Sequence, residues 1–197
     1  MSEPAVRILC FGASNTWGYD PRSFLGDRYP VDVRWPELLA ARTGWTVLNR
    51  GENGREIPHS PEEFRLLDSC IREAEPLDLL ILDLGLNDLM RMYPVRAEGS
   101  ADRMRDLLHH LRESFPTLRI LLPAPGPIRI PEEELMRQVR RLYRCYEVLA
   151  REAGADFLDP GELDLAWDGI HLSEEGHRQM AERLAGYLTA PRFPAAG

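Results

Sequence analysis

The chain contains no lysine. All 24 of its basic side chains are arginine. That absence excludes a Schiff-base lysine for a pyridoxal cofactor, a P-loop lysine for a nucleotide phosphate, and a lysine general base. Cysteine is scarce: Cys10, Cys70 and Cys145 are odd in number, far apart, and form no CxxC or other metal spacing. They read as reduced thiols of a cytoplasmic protein rather than a disulfide framework. No apolar run approaches the roughly 20 residues that span a bilayer, so no membrane association is expected. Met1–Ala5 carries neither a basic leader nor an apolar signal core. Positive charge is the minority sign, 24 basic against 32 acidic groups for a net charge of −8, which disfavours nucleic acid and anionic lipid as partners.

What remains is an ordinary globular balance, 44% hydrophobic and 28% charged in 197 residues, the size of one domain spanning 1–197. Short apolar runs alternate with longer amphipathic ones. Ala5–Phe11, Trp45–Asn49, Leu77–Leu84, Leu118–Pro123 and Ala155–Asp159 read as strands. Trp35–Thr43, Glu62–Glu75, Ala101–Phe115, Pro131–Ala153 and Ser173–Thr189 read as helices, with Ser100 and Ser173 as N-caps. Five strands alternating with five helices predict an α/β fold in three layers, α/β/α. A five-stranded parallel sheet is expected in the flavodoxin-like order 2-1-3-4-5.

In that order the segments just past the first three strands share one sheet edge, where such folds place their ligands. They hold Gly12-Ala13-Ser14-Asn15-Thr16-Trp17-Gly18, then Asn49-Arg50-Gly51-Glu52-Asn53-Gly54, then Gly85-Leu86-Asn87-Asp88. Strand five lies at the far edge, but the loop Pro160–Ile170 can span ~35 Å when extended and return Asp168 and His171 toward Ser14. Ser14 then reads as a nucleophile, His171 as its base, and Asp168 as the group that fixes the imidazole. The Ser14 and Gly51 amides and the Asn87 side chain read as an oxyanion hole, and Gly54 as a turn residue. Trp17 and Trp167 are expected to wall the substrate pocket. Phe24, Met92 and Tyr93 belong to the same end.

These blocks, in this order from Cys10 to about His177, resemble the SGNH (GDSL-type) hydrolases. CFGASNTWG at 10–18, Val33-Arg34-Trp35 and DGIHLS at 168–173 are similar to its arylesterase subgroup with acyltransferase and perhydrolase activity. The resemblance implies a Ser/His/Asp hydrolase of small acetyl-type esters, working through an acyl-enzyme on Ser14 and using no metal or organic cofactor. It also implies a homo-oligomer assembled through extensions such as the loop 19–34. Two positions depart from the family pattern: Ala13 stands where relatives carry aspartate before the serine, and Leu86 where they carry threonine. Asp83, a charge in an otherwise apolar strand, is expected to replace the missing carboxylate across the strand pair and support the loop around Ser14.

Other readings use the same residues. A carbohydrate O-deacetylase or a thioesterase needs identical catalytic parts. A flavodoxin-like module binding a nucleotide or phosphate at the Gly-Ala-Ser-Asn-Thr loop needs no triad, and leaves Asp168 and His171 unused. His177 reads as a helix-surface or core histidine, and Arg34 and Arg50 as structural partners of acidic side chains near the active end.

Overall fold

The computed structural model of the chain describes residues 6–23, 25–91, 94 and 96–190, so Phe24, Met92 and Tyr93 lie outside the described residues. In chain order the elements are β1 (Arg7–Gly12), α1 (Ser14–Trp17), α2 (Trp35–Thr43), β2 (Thr46–Asn49), α3 (Pro61–Glu73) and β3 (Leu79–Asp83). They continue with α4 (Leu86–Arg91), α5 (Ala97–Ser114), β4 (Arg119–Pro123), α6 (Glu133–Glu152), β5 (Asp156–Leu158) and α7 (Glu174–Leu188). The strands form one parallel sheet in the order β2-β1-β3-β4-β5. The expected topology is the observed one.

Successive side chains of a strand face opposite sides, and both sides here are apolar. Leu9, Phe11, Leu80, Leu82, Ile120 and Leu122 pack under α3, α5 and α6. Ile8, Cys10, Leu79, Ile81 and Leu121 pack under α2 and α7. Two buried cores therefore sandwich the sheet, which fixes the strand ends from which the site is built.

Side-chain caps mark the starts of two of the described helices, α3 and α7. Ser60 and Glu63 form a reciprocal capping box at α3, with the Ser60 N–H donating to the Glu63 carboxylate at 2.9 Å. Ser173 caps α7 by accepting the Gly176 N–H at 3.1 Å. Ser100 does not cap α5. That helix starts a turn earlier, behind Arg96, and Ser100 is buried inside it. Burial of Ala97 drives the longer helix, because an apolar contact there outweighs the N-cap preference of Ser100. The two short helices α1 and α4 fall in segments the sequence pattern left as loops.

Candidate active site

β1 ends at Gly12, which pairs with Asp83 of β3, and the chain turns at once into α1. The Ala13 N–H donates to the Asp83 carbonyl at 3.1 Å, and the Gly18 and Tyr19 amides donate to the Ser14 carbonyl at 2.8 and 3.0 Å. Ser14 is thus held on a one-turn helix at the carboxyl edge of the sheet. The loop 159–173 brings His171 to it, with Nε2 3.0 Å from Ser14 Oγ. Two contacts set that approach: the Leu172 N–H donates to Asn15 Oδ1 at 2.9 Å, and Leu165 bridges Leu172.

Asp168 Oδ2 lies 2.6 Å from His171 Nδ1, while Oδ1 accepts the backbone amides of Ile170 and His171, each at 3.0 Å. Burial alone would raise the Asp168 pKa. The His171 ring and the two amides outweigh it and hold the carboxyl below the ordinary aspartate value. Asp168 is therefore an anion at neutral pH, and the ring nitrogen facing it carries a hydrogen. That tautomer leaves the Nε2 lone pair directed at Ser14. The Tyr19 ring lies against His171, centroids 4.5 Å apart.

Ser14, His171 and Asp168 open onto a cavity of about 350 Å³, lined also by Asn87, Gly54, Asp83, Met90, Ile170 and Trp167. Asn87, in the first turn of α4, spends one amide hydrogen on the Arg55 carbonyl at 2.9 Å, leaving the other for the cavity. Gly51 does not line the cavity. Its N–H donates to Asn49 Oδ1 at 3.0 Å, and it packs so closely on α1 that a Cβ there would lie 2.2 Å from the Trp17 nitrogen. Gly54, read from the sequence as a turn residue, lines the cavity, and its N–H has no acceptor among the described residues. Its φ of +72° is a left-handed conformation that glycine adopts without strain. The spacing Gly-x-x-Gly held both candidates; only the loop geometry separates them.

That loop is clamped by residues the sequence pattern did not single out. The Arg55 guanidinium stacks 3.9 Å from the Phe11 ring centroid, donates to the Gly12 carbonyl at 3.1 Å, and pairs with Glu52 at 2.7 Å. Asp88, with a fully buried side chain, accepts the Ile57 N–H at 3.0 Å and Arg103 at 2.8 Å. Arg103 and Arg91 both reach Glu56 at 2.7 Å. The loop carrying Gly54 is therefore tied to the helix carrying Asn87.

The two tryptophans part company. Trp167 lines the cavity mouth, 78% exposed, with its indole N–H on the Pro21 carbonyl at 3.1 Å. Trp17 does not line it; its ring lies beside the Arg28 guanidinium, 5.2 Å to the centroid. Arg34 and Arg50 pair with Glu37 and Glu73 at 3.2 and 3.8 Å, and neither lines the cavity. His177 is fully buried, with Nδ1 3.4 Å from the Trp35 N–H. Asp83 turns its carboxylate toward α1, where Thr16 Oγ1 donates to Oδ2 at 2.7 Å. The expected support of the serine turn by Asp83 is present in that bond. Among the described residues, no cluster of three His, Cys, Asp or Glu is arranged to hold a metal, and no helix is long and apolar enough to cross a membrane.

The profile of the GDSL-like lipase/acylhydrolase family matches residues 10–179, and the chain belongs to that family. Among solved structures it is similar to a protein of Agrobacterium tumefaciens str. C58 assigned as an arylesterase (31% identity, TM-score 0.80, covering 93% of this chain and 98% of that one). It is also similar to the native aryl esterase of M. smegmatis (29%, TM-score 0.78, 93% and 98%) and a carbohydrate acetylesterase of Sinorhizobium meliloti (26%, TM-score 0.80, 94% and 99%). The family match and these solved structures make the chain an enzyme of the hydrolase class. No curated protein matches the sequence.

Proposed function

We propose that the protein is a serine esterase of small carboxylic esters, acting through an acyl-enzyme on Ser14. The observation that carries this reading is the contact chain Ser14 Oγ–His171 Nε2–His171 Nδ1–Asp168, at 3.0 and 2.6 Å, opening into one cavity. His171 Nε2 takes the Ser14 proton as Oγ attacks the ester carbonyl carbon. The carbonyl electron pair moves onto its oxygen, where the Ser14 and Gly54 amides and the Asn87 side chain donate to it. In this role Gly54 replaces Gly51, whose amide is engaged by Asn49. Collapse of the intermediate expels the alkoxide, which takes the proton from His171 and leaves as the alcohol. Water then repeats the sequence: its proton goes to His171, its oxygen attacks the acyl carbon, and Ser14 regains the proton as the acid departs.

Asp168 stays ionised throughout and stabilises the imidazolium. Acyl transfer to an alcohol is a second reading, favoured by the apolar mouth that Pro21, Trp167 and Ile170 give the cavity. Steady-state kinetics on a chromogenic acetate ester test the main reading. Ser14→Ala should lower kcat by a factor of about 10⁴ or more, as loss of a triad nucleophile does elsewhere. Equal turnover by wild type and variant would refute it.

A further inference from the structure

Asp83 is the one carboxylate in the cavity that the proposed reaction does not use. It sits at the end of β3 in register with Gly12 of β1, and the cavity beside it is lined by small side chains, Ala13 after β1 and Ala124 after β4. One of its oxygens is engaged, by Thr16 at 2.7 Å. The other, Oδ1, has no donor among the described residues and is not sealed from solvent. The side chain is partly buried at the cavity wall. Burial accordingly pushes its pKa above the ordinary aspartate value, with the Thr16 hydroxyl pulling the other way. The neighbouring wall, Leu84, Leu86 and Pro125, is apolar. A carboxyl oxygen without a donor among apolar groups is unfavourable, and a ligand hydrogen-bond donor relieves it.

We propose that Asp83 Oδ1 forms a polar subsite that binds a hydroxyl group of the substrate, selecting hydroxyl-bearing esters over apolar ones of the same size. The proposal rests on the esterase reading and names the substrate class of that site. The alanines at 13 and 124 leave room for the group that approaches, and the Thr16 bond occupies Oδ2, so Oδ1 is the oxygen left to accept. A hydroxyl suits the site because it supplies the donor that Oδ1 lacks and brings no charge against the apolar wall of Leu84, Leu86 and Pro125.

The hydroxyl can belong to the acyl or to the alcohol half of the ester, and matched pairs separate the two. Methyl glycolate against methyl propionate exchanges CH2OH for CH2CH3 on the acyl side; 2-hydroxyethyl acetate against propyl acetate does so on the alcohol side. The quantity read is the ratio of kcat/KM within each pair, wild type divided by variant, which cancels intrinsic ester reactivity and any general loss of rate. Asp83→Leu and Asp83→Ala, one filling the space and one emptying it, should each lower the hydroxyl preference about tenfold in one of the two pairs. Ratios unchanged in both pairs, in either variant that remains folded by circular dichroism, would overturn the subsite while ester turnover persisted. Absence of turnover by the wild-type enzyme on every ester would instead overturn the esterase reading itself.

Discussion

Asp168 shows how much one side chain decides. Its carboxylate is held ionised by His171 and two amides against the cost of burial, and that ionisation selects the His171 tautomer able to accept the serine proton. Asp168→Asn preserves size but offers the ring an amide, and kcat on an acetate ester should fall about 10⁴-fold with little change in KM. Because its folded pKa is depressed, the stability Asp168 contributes is complete above its unfolded value of about 3.9. It is lost as pH falls through the lower folded value. In the proposed reaction Asn87 donates to the forming oxyanion, so Asn87→Ala is expected to lose about 10²–10³ in kcat. The meeting of Ser14, Asp168 and His171 was legible because a serine, an aspartate and a histidine are chemically distinctive and lie in two short blocks. The choice between Gly51 and Gly54 was not, since a glycine's role depends on where its amide points and on what Asn49 already occupies.

At the scale of elements, short apolar runs and longer amphipathic segments made all five strands and the five long helices readable, as β3 shows with four consecutive buried residues from Leu79 to Leu82. It could not reveal α1 and α4, which have too few residues to show a period and are set by their anchors instead. Gly51 is one such anchor. Its hydrogen would be replaced by a Cβ 2.2 Å from backbone of α1, so Gly51→Ala should displace the serine turn and destabilise the fold by about 2–3 kcal/mol, measured by urea unfolding. The clamp between the Gly54 loop and α4 is the other. Arg103→Leu strands the buried Asp88 carboxylate and should cost about 2–3 kcal/mol. That is less than for a fully enclosed pair, because Arg103 is itself about a third exposed.

Across the whole molecule, arginine has taken over every cationic role. From α5, Arg112 donates to the carbonyls of Ala153 and Gly154 at the end of α6 and of Leu118 before β4, a planar fork that an ammonium group does not reproduce. The absence of lysine therefore leaves the fold no poorer in anchors, and a Ser/His/Asp site needs none. His177, buried where α7 meets α2, links the whole fold to pH. Burial first, then the charges of Arg34 and His171, lower its pKa to about 3, against an unfolded value of about 6.5. The unfolded chain binds that proton and the folded chain does not. Stability should therefore fall as pH drops from about 6.5 toward 3, by at most ~1.4 kcal/mol per pH unit from this group. His177→Gln should flatten that part of the pH–stability curve in chemical denaturation; an unchanged slope would place the acid sensitivity elsewhere.

Covalent labelling bears most directly on the proposed chemistry, since the contact chain requires one activated hydroxyl in the protein. Incubation of the wild-type chain with a serine-directed fluorophosphonate, followed by peptide mass spectrometry, should place one phosphonyl group on Ser14 with parallel loss of ester turnover. His171→Ala, which keeps Ser14 but removes its base, should label far more slowly. Inactivation with the label on another residue, or turnover that survives full modification of Ser14, would contradict the account.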